Sequence, residues 1–181
     1  MSGGFAEVAR YLRPWILATV PHSGTHAVVV LFGLKFMKTP DRAGAVAEGG
    51  EKFPRCGLWC HVSKSNTGYL LDASADVFTT WRDPLRVAVS WVYKPMSGTL
   101  EPGMLKAYYE NLLLLRRSRP VAFLRMDTLP RAYRNDRVTR PEVLRAYEER
   151  DLKRIGALMG PWLETLREID WGDFPRESWW G

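Results

Sequence analysis

The apolar positions of this chain arrive in short runs separated by polar turns. Trp15-Ile-Leu-Ala-Thr-Val20 is β-rich, stops at Pro21 and predicts a buried strand. Pro21-His-Ser-Gly-Thr25 carries turn chemistry, and Thr25 to Lys38 is apolar on several faces, which predicts a buried helix closed by Thr39-Pro40. Residues 40–55 mix Gly, Ala and charge and predict a loop. Leu58-Trp-Cys-His-Val62 predicts a second strand, Ser63 to Gly68 a polar turn, and Asp76-Val-Phe-Thr-Thr80 a third strand. Asp83-Pro84 opens a helix over Leu85 to Lys94, with Asp83 as its cap and Pro84 suited to its first turn. Ser97 to Gly103 reads as a loop, Met104 to Arg117 as an amphipathic helix, and Val121-Ala-Phe-Leu124 as a fourth strand, with a short helix after Asp127. Pro141 to Met159 predicts a long charged helix that Trp162 to Ile169 continues, before an irregular aromatic tail from Trp171 to Gly181. Strands alternating with helices predict one α/β domain over residues 1–181, a three-layer sandwich around a central parallel sheet of four or five strands. Ligands in such folds bind beyond the carboxyl ends of the strands.

Composition narrows the class. With 181 residues, 46% hydrophobic and 25% charged, the chain suits one ordinary globular domain. Its longest apolar run, Ala27 to Leu34, is far short of the ~20 residues of a membrane span. No basic segment leads into an apolar stretch at the start, so the expected compartment is the cytoplasm and no membrane partner is expected. The net charge of +6 is local: residues 116–154 hold 12 basic and 6 acidic side chains. That surplus is either a solvated helical surface or an attractor of an anionic partner.

Two constellations carry candidate chemistry. In Pro21-His22-Ser23-Gly24-Thr25-His26, a loop between strand and helix presents backbone N–H groups and the positive end of a helix dipole. Such a loop holds phosphate or sulfate, Gly24 allows close approach, and the Ser23 and Thr25 hydroxyls can donate. A capped helix start would look the same. In Trp81-Arg82-Asp83-Pro84 through Ser90, Arg82 stands just past a strand end and Ser90 follows it by eight residues, about two helical turns. Both can reach one anion, and Arg offers a planar fork for its oxygens. The structural alternative pairs Arg82 with Asp83 and turns Ser90 to a backbone carbonyl.

Together these segments resemble the sulfotransferase family, whose donor is 3'-phosphoadenosine-5'-phosphosulfate. The family's Pro-Lys-Ser-Gly-Thr stands here as Pro21-His22-Ser23-Gly24-Thr25, and its Arg with Ser eight residues later stands as Arg82 and Ser90. The resemblance covers roughly residues 15–130 and implies a P-loop-like sulfotransferase fold. It implies that His22, Ser23, Gly24, Thr25 and His26 cradle the 5'-phosphosulfate and that Arg82 and Ser90 hold the 3'-phosphate. It also implies transfer of the sulfuryl group to a hydroxyl or amine acceptor, leaving 3'-phosphoadenosine-5'-phosphate, with no metal required. The family's basic-glycine segment has no clear counterpart, and the Arg131 to Arg140 cluster is the nearest substitute.

His61 ends the second predicted strand, 21 residues before Arg82, where cytosolic members of the family carry a catalytic base. An imidazole can take the acceptor proton as the acceptor attacks sulfur. A structural histidine is the alternative, and Glu48, Glu51 or Asp72 could replace it as a carboxylate base. The family's loop lysine is replaced by His22, which when protonated could support the leaving oxygen; Lys64 is another candidate for that charge. Two rivals belong to other classes. A small P-loop kinase predicts metal-dependent ATP binding, though the chain lacks the Gly-Lys-Ser/Thr ending of that loop. A non-catalytic basic module predicts salt-dependent binding to nucleic acid, which is not the expected partner. The Cys56 to Cys60 spacing fits neither haem attachment nor a disulfide across an extended strand. Trp15, Trp81 and Trp91 are expected in the core, and the tail tryptophans Trp171, Trp179 and Trp180 are expected to dock.

Overall fold

The computed structural model describes residues 15–25, 27–28, 35–38, 45–48, 57–72, 75–93, 101–126, 145–146 and 149–176. Six strands form one sheet: β1 (Trp15–Thr19), β2 (Lys35–Lys38), β3 (Ala45–Glu48), β4 (Gly57–His61), β5 (Asp76–Trp81) and β6 (Val121–Arg125). Their order is β2-β3-β4-β1-β5-β6. β4, β1, β5 and β6 run parallel, whereas β2 and β3 pair antiparallel to each other, and β3 antiparallel to β4. The chain is therefore α/β with a four-stranded parallel sheet, extended on one side by a hairpin. β1 is buried at all five positions and β5 at all but its first, as strands covered on both faces should be.

Four helices are described: α1 (Lys64–Asp72), α2 (Pro84–Tyr93), α3 (Pro102–Ser118) and α4 (Leu152–Arg167). α1 contacts α3, α3 contacts α4, and α2 contacts α4. Asp83 caps α2 by accepting from the N–H of Leu85 at 3.0 Å and Arg86 at 3.3 Å. α3 starts on Pro102 and buries Leu105, Tyr109 and Leu112, a spacing of four then three that draws one stripe toward the core. At the amino edge of the sheet, Arg119 donates to the carbonyls of Leu70 (2.8 Å) and Ala75 (2.5 Å), tying α1 to the start of β5.

Several expectations need correction. The run Thr25 to Lys38 is not one helix, because Lys35–Lys38 is strand β2, and residues 45–48 within the expected loop form β3. Pairing of β2 with β3 and of β3 with β4 supplies there what local sequence does not. Ser63 to Gly68 is no turn: the Ser63 carbonyl accepts from the N–H of Asn66 and Thr67, both at 3.0 Å, and opens α1. Burial of Leu70 outweighs the poor helix propensity of Asn66, Thr67 and Gly68. The helix expected over Pro141 to Met159 is broken at Arg150, whose φ is +54°. Asp151 then starts α4 afresh, its carboxylate accepting from the Arg154 N–H at 3.0 Å. The short helix expected after Asp127 lies outside the described residues.

The core is aromatic around Trp81. Its ring meets Tyr109, Phe123, Trp171 and Phe174 at centroid distances of 5.9, 6.3, 6.3 and 4.4 Å. Trp15, Trp81 and Trp91 are all buried, and Trp171 docks as expected; Trp179 and Trp180 lie outside the described residues. Among the described residues, no helix is long and apolar enough to cross a membrane.

Candidate functional site

The strand order fixes where a ligand can sit. After β1 the chain builds β2, β3 and β4 on one side and then crosses to β5 and β6 on the other, so the strand order changes direction at β1. In open α/β sheets the connections diverge at such a point and leave a crevice beyond the carboxyl ends of the strands. Residues 20–25 follow β1, His61 ends β4, Arg82 follows β5 and Met126 follows β6. Register places Thr19 opposite His61.

The loop after β1 is held tightly. The Ser23 N–H bonds the Val20 carbonyl at 3.1 Å, and its hydroxyl donates to the same oxygen at 2.6 Å. The Thr80 hydroxyl, 2.5 Å away, must then donate to Ser23, which pins the loop to the end of β5. Trp91 of α2 donates its indole N–H to the Pro21 carbonyl at 2.9 Å. His22 has φ +64° and Gly24 φ +117°, both on the left-hand side of conformational space. A Cβ on Gly24 would lie 2.6 Å from Met126 Cγ and 2.7 Å from its Cε, so a side chain there would force Met126 to move. The Val28 N–H reaches the Gly24 carbonyl at 3.2 Å, which begins a helical turn. Among the described residues, nothing accepts from the backbone N–H of Gly24 or Thr25. These are the groups an anion would meet.

Arg82 and Ser90 each contact His22. Arg82 Nη1 donates to the His22 carbonyl at 3.3 Å, and His22 Nδ1 lies 3.0 Å from Ser90 Oγ. The imidazole of His22 thus stands between the guanidinium's loop contact and the α2 hydroxyl. Ser23 and Thr25 turn their hydroxyls inward, Ser23 to Val20 and Thr25 to Thr19 at 3.0 Å. His26 lies outside the described residues.

His61 is part-buried beside the loop. Its Nδ1 lies 3.2 Å from the Thr19 carbonyl and 3.3 Å from the Thr19 hydroxyl. Burial pulls its pKa below the ordinary value of 6.5, opposed in part by the Thr19 carbonyl, so the ring is neutral at neutral pH. Trp59 packs edge-on at 4.9 Å and Tyr108 of α3 at 6.1 Å. Tyr108 also meets Trp91 at 5.8 Å, so one ring links the His61 side of the crevice to the loop side. Sequence reasoning missed Thr19, Trp59, Thr80, Tyr108 and Met126. Only Trp59 carried a usable signal, two residues before His61 and so on the same face of β4.

Other candidates are placed elsewhere. Lys64 and Asp72 are exposed on α1. The side chains of Glu48 and Glu51, Cys56 and the Arg131 to Arg140 cluster lie outside the described residues. Cys60 is buried and its thiol is pushed up to about 11, so it is unreactive at neutral pH. Three members of the basic surplus are engaged within the chain. Arg116 forms a fork with Asp173 at 2.9 and 2.8 Å, Arg117 bonds Asp170 at 2.9 Å, and Arg119 holds the two carbonyls described above. Comparison with protein-family models, curated proteins and solved structures finds no match to this chain.

Proposed function

We propose that this chain is a sulfotransferase of the P-loop-like, three-layer kind, taking its sulfuryl group from 3'-phosphoadenosine-5'-phosphosulfate. The observation that carries the reading is the convergence of the 20–25 loop, His61, Arg82 and Ser90 at one sheet edge, across the point where strand order reverses. The loop suits an anion through the N–H groups of Gly24 and Thr25, which no described residue engages, and Arg82 and Ser90, both in contact with His22, are the groups that would turn to a second phosphate.

The chain's own residues divide the work. The loop orients the donor's 5' end, and Arg82 with Ser90 marks the 3'-phosphorylated nucleotide. His61 Nε2 takes the proton of the acceptor hydroxyl or amine as the acceptor oxygen or nitrogen bonds to sulfur. The bond from sulfur to the nucleotide's phosphate oxygen breaks in line, and that oxygen leaves with the electron pair. His22 belongs to the loop, where a protonated ring would offset charge on the leaving oxygen. Most of the acceleration is positioning and charge stabilisation, as in phosphoryl transfer.

A thermal-shift comparison tests the reading. Adenosine 3',5'-bisphosphate at 100 times its Kd should stabilise the protein by about 2.7 kcal/mol. ATP with magnesium should do markedly less. Equal or stronger stabilisation by ATP with magnesium would transfer the site to the kinase class.

A further inference from the structure

The fully buried Thr19 hydroxyl touches three partners. It accepts from Thr25 Oγ1 at 3.0 Å and from Trp59 Nε1 at 3.1 Å, and it lies 3.3 Å from His61 Nδ1. A hydroxyl has two lone pairs and one proton, and an indole N–H can only donate. With Thr25 and Trp59 both donating, the lone pairs are taken and the proton is directed at His61 Nδ1. That nitrogen must then be bare, which puts the imidazole proton on Nε2. An Nε2–H cannot take a proton from an acceptor. The Thr19 carbonyl, 3.2 Å from the same Nδ1, favours the opposite tautomer, because it can only accept. Both contacts address the same nitrogen, so the direction of the Thr19 hydroxyl decides between the two forms.

We infer that Thr19 is a positioning residue that holds His61 in its unreactive tautomer until an anion in the 22–25 loop draws away the Thr25 hydroxyl. The inference rests on the anion-cradle reading of that loop. When Thr25 donates to the anion, its oxygen becomes an acceptor, and the Thr19 proton turns toward it. Thr19 then has a lone pair for an Nδ1–H, with its carbonyl as a second acceptor. Nε2 releases a proton to solvent and Nδ1 takes one up from solvent, so the charge of the ring is unchanged. Every donor keeps an acceptor throughout: Trp59 to Thr19, Thr19 to Thr25, Thr25 to the anion, and His61 to Thr19. The base is armed only when the donor is present, which orders the reaction and deters proton abstraction in an empty site.

Nitrogen NMR of the full chain labelled with 15N-histidine reads the tautomer directly, with the His61 signals identified by their loss in His61→Gln. Free wild-type protein should show a pyridine-type Nδ1 and a pyrrole-type Nε2. Saturation with adenosine 3',5'-bisphosphate, monitored in parallel by calorimetry, should exchange the two. Thr19→Val removes the hydroxyl donor and keeps the carbonyl, so it should show the exchanged form without ligand, and Thr19→Ser should behave as wild type; Thr19→Ala serves if the valine variant does not fold. Thr25→Val leaves the Thr19 proton no second oxygen to turn to, so it should keep the Nε2–H form with and without nucleotide. Binding heat without exchange in wild type, a Thr19→Val protein that keeps the Nε2–H form, or exchange in Thr25→Val overturns the coupling. Exchange in Thr19→Val with no binding heat in wild type supports the Thr19 role and removes the nucleotide assignment instead.

Discussion

Replacing Gly24 by alanine should damage the protein in two separable ways. The first is conformational: at φ +117° a residue with a Cβ is held in a sparsely populated region, at about 1–3 kcal/mol. The second is steric: the new Cβ would stand 2.6 Å from Met126 Cγ and 2.7 Å from Cε. Carbon atoms prefer roughly 3.5–4.0 Å, so the overlap is about 1 Å on two atoms. Overpacking of that kind amounts to about 1–3 kcal/mol. The sum, about 2–6 kcal/mol, predicts a fall in the urea midpoint of about 1–3 M if the slope is near 2 kcal/mol/M. A double-mutant cycle with Met126→Ala divides the two parts. Met126 is itself buried, so Met126→Ala alone should lose about 2–5 kcal/mol. In its background the steric part of Gly24→Ala disappears and the conformational part stays, giving a coupling of about 1–3 kcal/mol. A Gly24→Ala midpoint within about 0.2 M of wild type would refute the argument. So would a coupling below about 0.5 kcal/mol, because the contact with Met126 would then not define the loop.

Other outcomes follow from the same edge of the sheet. Arg82→Ala should weaken adenosine 3',5'-bisphosphate binding by about 10- to 100-fold in calorimetry, the range of a charge-assisted hydrogen bond. His61→Ala should keep that affinity and lower sulfuryl transfer by about 10²- to 10⁴-fold in a radiolabel assay; equal turnover in variant and wild type removes the base assignment. Because burial lowers the His61 pKa, the acidic limb of the kcat/KM profile should fall below pH 6.5. The same depression makes the unfolded imidazole protonate first, so this group's support of the fold is complete above 6.5 and is lost as pH drops toward the folded pKa. Urea titrations across that range should show a slope that His61→Ala flattens. His22→Gly should leave the melting temperature unchanged or higher, since glycine relieves the φ of +64°, while transfer falls; a clear loss of stability would show that the Ser90 contact outweighs the backbone strain.

How far the sequence foretold this arrangement depends on the range of the forces involved. β1, β4, β5 and β6 were legible because buried parallel strands read as short apolar runs between turns, and α2 because Asp83 and Pro84 mark its start. β2 and β3 were not legible, since each is a four-residue strand too short to show a strand period by itself and is fixed by its pairing, β2 with β3 and β3 with β4. α1 hid behind Asn66, Thr67 and Gly68, residues that favour turns until Leu70 is buried. In the site, the eight-residue spacing of Arg82 and Ser90 suggested that both could reach one anion beside the start of α2. It could not foretell that His22 would stand between them, which depends on a left-handed backbone. The Thr19 contacts were beyond reach as well, because they join four residues from two strands and a loop.

The ring cluster around Trp81 has an optical consequence. Trp81 immediately precedes Arg82, and its indole is held at fixed angles against Tyr109, Trp171 and Phe174. Rings locked in an asymmetric cluster give a near-ultraviolet circular dichroism band that vanishes when specific packing loosens, even if helices and strands persist. The protein therefore carries an intrinsic gauge of order one residue away from its candidate nucleotide contact, and no extrinsic dye is needed to follow it.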